Sequence, residues 1–100
     1  MLDPSRISGF DWDDGNSLKS AEKHSVSQPE AEQVFADPQL LIADDVEHSQ
    51  DEARFHALGQ TAEGRKLHVT FTLRDVGTRI RVISARNISR KERGLYEQEA

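Results

Sequence analysis

A chain of 100 residues, 35 % apolar and with six aromatic side chains, holds one small domain with a modest core. It has no cysteine, which removes disulfides, thiolate nucleophiles and zinc-ribbon ligand sets and fits a reducing cytoplasm. The net charge of −5 argues against a general nucleic-acid coat protein, but it is unevenly spread: residues 1–50 carry three basic against eleven acidic side chains, residues 65–93 nine against two.

Residues 1–9 show no periodicity and read as a flexible lead-in to a single domain spanning 10–99. Their Met1-Leu2-Asp3-Pro4 opening lacks the pattern of a signal peptide, and no run has membrane-spanning length. Phe10 and Trp12 alternate with Asp11 and Asp13, the pattern of a short strand or an extended arm anchored by its aromatics. Asp13-Asp14-Gly15 opens a helix from Asn16 to His24, with Leu18 and Ala21 inward and Lys19 and Lys23 along another face. Ser27-Gln28-Pro29-Glu30 is a capping box, which starts a second helix on Ala31, Val34 and Phe35 that Asp37-Pro38 stops.

Four strands follow. A weak one is expected at 39–43, then 53–59 with Phe55 and Ala57 on one face and Arg54, His56 and Leu58 on the other. In 66–73 the residues Leu67, Val69, Phe71 and Leu73 oppose His68, Thr70 and Thr72; in 79–84 Ile80 and Val82 oppose Arg79 and Arg81. The connections after the second and third strands are of hairpin length and hold a Gly each, so the sheet is expected to be antiparallel. Ser89-Arg90-Lys91-Glu92, a second capping box, opens a closing helix. The class is α+β: two N-terminal helices, a four-stranded antiparallel sheet and a C-terminal helix.

Alternation puts Arg79 and Arg81 on one strand face beside Thr70, Thr72 or His68, with Arg54 reachable from the next strand. Arg86, Arg90, Lys91 and Arg93 come from the strand exit and the final helix. Eight of the ten basic residues in the second half are Arg, whose fork matches phosphate oxygens better than Lys does. The bland alternative is a solvated charged face. His48 and His56, without cysteine, make no metal-binding pattern, and Ser-His-Asp spacings, phosphate loops and dinucleotide fingerprints are missing.

The residues also carry a resemblance. Trp12-Asp13-Asp14-Gly15-Asn16, with Lys19, Lys23-His24 and Val26-Ser27, is similar to the opening signature of the BrnT toxin family. His48-Ser49, Asp51-Glu52, Arg54-Phe55, Leu58-Gly59, Gly64-Arg65, Arg79 to Arg86 and Arg90-Lys91-Glu92 continue it, over about residues 10–97. Ser25 departs from it, since the family usually has Gly after the His.

The resemblance implies a RelE-like fold and an RNA-cleaving toxin, partnered by a BrnA-like ribbon-helix-helix antitoxin through which alone it reaches operator DNA. Metal-free cleavage uses the RNA 2′-hydroxyl as nucleophile, so the protein supplies proton transfer and cationic stabilisation, with no cofactor. On that reading Arg54, Arg79 and Arg86 stabilise phosphate, and His24 or Glu52 handles protons. Arg65, Arg81 and Arg90 assist, and Lys19 and Lys23 grip flanking phosphates. The runner-up is a catalytically weak module that serves mainly as antitoxin partner and co-repressor.

Overall fold

The structure, a computed structural model, describes residues 4–16, 24–47 and 52–99. The strands are β1 (Gly9–Phe10), β2 (Leu41–Asp44), β3 (Arg54–Gln60), β4 (Lys66–Arg74) and β5 (Arg79–Asn87). They form one sheet in the order β1-β5-β4-β3-β2. The second capping box does open a helix, Arg90–Glu99. The first gives the helix Gln28–Val34, where Ser27 Oγ accepts from the Glu30 N–H and the Glu30 carboxylate accepts from the Ser27 N–H. Of the helix expected at Asn16–His24, Asn16 and His24 are helical; Lys19 and Lys23 lie outside the described residues. Ser25 follows with φ 55°, the left-handed turn at a helix end that glycine adopts most easily.

The expected RelE-like, four-stranded antiparallel sheet is corrected to five strands of mixed sense, while the α+β class holds. β1 pairs in parallel with β5, Gly9 opposite Arg79 and Phe10 opposite Ile80. Hydrogen bonds from Ser8 N–H to the Thr78 carbonyl (2.7 Å) and from Asp11 N–H to the Ile80 carbonyl (2.8 Å) frame it. Two residues are too few to show a period of two, and nothing local announces a partner some seventy positions along the chain.

One face of the sheet carries the core. Phe55, Ala57, Leu67, Val69, Phe71, Ile80, Val82 and Ala85 pack against Val26, Ala31 and Val34. Phe35 meets both Phe10 and Phe71 edge-on, at ring-centroid distances of 5.6 and 5.0 Å. The helix Gln28–Val34 crosses the sheet where β3 has Gly59: a Cβ there would lie 3.0 Å from the Val34 carbonyl oxygen. Trp12 is half-buried against the core and donates its indole N–H to Glu32 (2.7 Å). At the far end Tyr96 is buried and donates to Asp37 (2.5 Å), tying the C-terminal helix to the residues after the first one. Among the described residues, no helix is long and apolar enough to cross a membrane.

A bulge decides what the second face displays. Thr70 pairs with Ser84, but Phe71 pairs with Val82, so Ile83 has no partner in the ladder. Strict alternation would put Arg86 on the core side with Ile80 and Val82. The extra residue reverses the parity, sending Ala85 into the core and Arg86 to the face of Arg81.

Candidate active site

Register turns the second face into rows two residues apart, roughly 6.6–6.8 Å along each strand. Arg54, Thr72 and Arg81 form one row; His56, Thr70 and Ser84 the next; Leu58, His68 and Arg86 the third. The Arg74–Arg79 pair extends the face beyond Arg54, with Glu52 bonded to Arg74. Three guanidinium groups thus bracket two imidazoles and three hydroxyls. Arg81 has the expected threonine beside it, Thr72, whereas Arg79 lies opposite Arg74 and not one of the residues expected; Arg86 lies opposite His68.

Arg81 and Arg86 are held by carboxylates. Arg81 lies 2.9 Å from Asp13 and 3.5 Å from Asp11, with its side chain 22 % exposed. Asp13 is held below the usual carboxylate range, first by the Asn16 N–H and then by Arg81. Arg86 grips Glu92 with both terminal nitrogens, at 2.9 and 2.8 Å. That pairing raises the Arg86 pKa and lowers Glu92 to about 2. Glu92 also accepts from Ser89 N–H while Ser89 Oγ accepts from Glu92 N–H, so one capping box both starts the last helix and seats the Arg86 partner.

The imidazoles occupy the middle. Their ring centroids are 4.7 Å apart. His56 Nδ1 lies 3.0 Å from the Thr70 hydroxyl, and Nε2 lies 3.1 Å from the buried Asp45 carboxylate. His68 is buried, with Glu92 3.8 Å away. Burial pushes its pKa down; Glu92 opposes that, and the nearby Arg86 and His56 add to it.

Other expected site residues sit apart from this cluster. Arg79 reaches over the sheet edge to the Phe10 carbonyl and faces Asp75 at 3.6 Å. Arg65 spends its donors internally, on the carbonyls of Ser25 (2.8 Å) and His24 (3.2 Å), on Glu30 (2.9 Å) and on Asn87 (2.9 Å). His24 is exposed. Arg90 is exposed in the first turn of the last helix and forms no ion pair with a described residue. The sequence places His56 with Arg54, His68 and Thr70 beside the arginines and Glu92 in a helix cap but gives none of them a role at the site, and it does not single out Asp45. Strand alternation was the signal for His56, His68 and Thr70; the two carboxylates come from outside the strands and gave none.

A protein-family model described as "Ribonuclease toxin, BrnT, of type II toxin-antitoxin system" matches residues 12–92 of the chain. The search of curated proteins returned no match.

Proposed function

The chain belongs to the BrnT family of ribonuclease toxins of type II toxin–antitoxin systems, and from that premise we propose that it is a metal-independent endoribonuclease using the second face of its sheet. The observation that carries this reading is the convergence of Arg54, Arg81 and Arg86 around the imidazoles on adjacent strands. In the reaction the RNA 2′-oxygen attacks the adjacent phosphorus and the 5′-oxygen leaves, which gives a 2′,3′-cyclic phosphate and a 5′-hydroxyl end. Charge gathers on the phosphoryl oxygens in the transition state, and fixed guanidinium groups stabilise it there. Arg54 and Arg86 bear on the scissile phosphate, with Arg81 and Arg79 along the strand of RNA beside it. Lys19, Lys23 and Arg90 contribute flanking charge, while Arg65 acts by locking the turn at Ser25. Cleavage of messenger RNA in the cytoplasm would stop translation and growth.

The antitoxin, on this reading a BrnA-like ribbon-helix-helix protein, masks the same face. Asp13 on Arg81 and Glu92 on Arg86 illustrate how carboxylates seat there, so acidic antitoxin side chains compete with RNA for these cations. Contact with operator DNA then runs through the antitoxin.

The test is cleavage of RNA by the purified chain in the presence of EDTA, alongside growth on induction with and without the antitoxin. Arg86→Ala and Arg81→Ala should each slow cleavage on the order of 10²-fold, in line with loss of one transition-state donor, and relieve the growth arrest. Intact RNA with wild-type protein, or equal cleavage by wild type and both variants, overturns the assignment.

A further inference from the structure

The ribonuclease reading leaves open which groups move protons, and the centre of the arginine face answers it. We propose, resting on that reading, that Asp45, His56 and Thr70 form a proton relay in which the Thr70 hydroxyl takes the 2′-hydroxyl proton and passes its own to His56. An ionised Asp45 offers only acceptors, so the Nε2 facing it at 3.1 Å carries the ring hydrogen. Nδ1 is left with its lone pair, and the Thr70 hydroxyl 3.0 Å away donates to it. A carboxylate that fixes the imidazole tautomer and an imidazole that draws on a hydroxyl constitute the arrangement by which proteins activate oxygen.

The relay is sited for the purpose. Thr70 and His56 are half-buried on the middle row, between Arg54 and Arg81 on one side and Arg86 on the other. Asp45 is buried and belongs to the segment after β2, so it holds His56 from the edge of the face rather than from within it. An imidazolium forming on His56 would meet His68 across 4.7 Å. His68 is buried and kept uncharged, so no like charge opposes the transfer from that side. Of the other charges around the rings, Asp45 favours a charged His56, Arg86 and Glu92 are held to each other as a bidentate pair, and Arg54 and Arg81 lie one row away.

The step balances without a co-reactant. The 2′-O–H bond breaks as the 2′-O–P bond forms, and the proton enters the relay and rests on His56 Nδ1. The P–O5′ bond breaks with its electron pair on the 5′-oxygen, which solvent protonates, and His56 returns its proton to solvent.

The experiment is a cleavage assay of the full-length chain on an oligoribonucleotide and on the same oligonucleotide with a single 2′-deoxy position at the cut site. Wild type should cut the ribose substrate to a 2′,3′-cyclic phosphate and spare the deoxy one. His56→Ala should lower kcat by about 10²–10⁴-fold, the span of general acid–base catalysis, and recover activity with added imidazole. Thr70→Val should lower kcat at unchanged KM, and Thr70→Ser should restore it. Melting curves confirm that each variant is folded; a variant that does not melt cooperatively is replaced by His56→Gln, which faces the same comparison. If the His56 variant cuts at the wild-type rate while Arg86→Ala is impaired, the relay is wrong and the nuclease assignment stands. If the deoxy substrate is cut with RNA left attached to Thr70, that residue is a nucleophile instead and the relay is overturned. If wild type cuts nothing, both fall.

Discussion

Replacing Val76 by Asn should make the protein more stable, although it removes an apolar side chain. Val76 sits in the β4–β5 turn at φ 56°, between Asp75 at φ 53° and Gly77 at φ 83°. For a β-branched residue this left-handed region is an outlier costing about 1–2 kcal/mol. The valine is 87 % exposed, so its side chain returns almost no burial energy. The turn's own bonds, Thr78 N–H to the Arg74 carbonyl and Thr78 hydroxyl to the Asp75 carbonyl, involve no Val76 side chain and survive the change. Asn tolerates the left-handed region through local hydrogen bonds. The expected gain is about 1 kcal/mol, or roughly 4–8 °C in Tm for a domain of this size. Val76→Gly should gain less, because a freer unfolded chain offsets about 0.5–1 kcal/mol. Val46 provides the control: it is equally exposed, and its φ is not positive. Calorimetry should therefore rank Val76→Asn above Val76→Gly and leave Val46→Asn near wild type. A Val76→Asn protein melting at or below the wild-type temperature, or no better than Val46→Asn, refutes the strain argument.

Acid should weaken the chain through Glu92. Its pKa falls from 4.5 to about 2 in the folded state, so its contribution is complete above about pH 4.5 and disappears as pH falls towards 2. The stability difference between wild type and Glu92→Gln should shrink over that interval, from about 3 kcal/mol at most; a difference independent of pH there would count against the Arg86 pairing. Two glycines should respond to alanine with opposite signs in denaturant titration. Gly59→Ala drives a Cβ to 2.9 Å from Val34 Cγ1 and should cost about 1–3 kcal/mol. Gly94→Ala meets nothing within 4 Å in a helix and should gain up to about 1 kcal/mol.

Local rules made much of this fold legible. The Ser27–Glu30 and Ser89–Glu92 capping boxes are both closed, and the alternation of β4 sorts Leu67, Val69 and Phe71 from His68, Thr70 and Thr72. What escaped depends on partners distant in sequence. The two-residue β1 is a strand only because β5 offers it an edge, and Arg65 looks like a free cation until Ser25 and Asn87 are brought to it. The Ile83 bulge is the subtlest omission: one unpaired residue moves Arg86 across the sheet, and no residue type at that position signals it. His56 acquires a role only once Asp45 arrives from outside the strand pattern.

The parallel seam between β1 and β5 also sets the order in which the sheet can close. Gly9 and Phe10 precede their partners Arg79 and Ile80 by some seventy residues. Arg81 and Arg86 belong to the same late strand. Closing so long a loop is slow and entropically costly, so the outer edge of β5 is the last part of the sheet to gain its partner. The face shared by Arg54, Arg81 and Arg86 needs only the local pairing of β3, β4 and β5, and the seam to β1 then fixes the outer edge of the strand that carries two of the three.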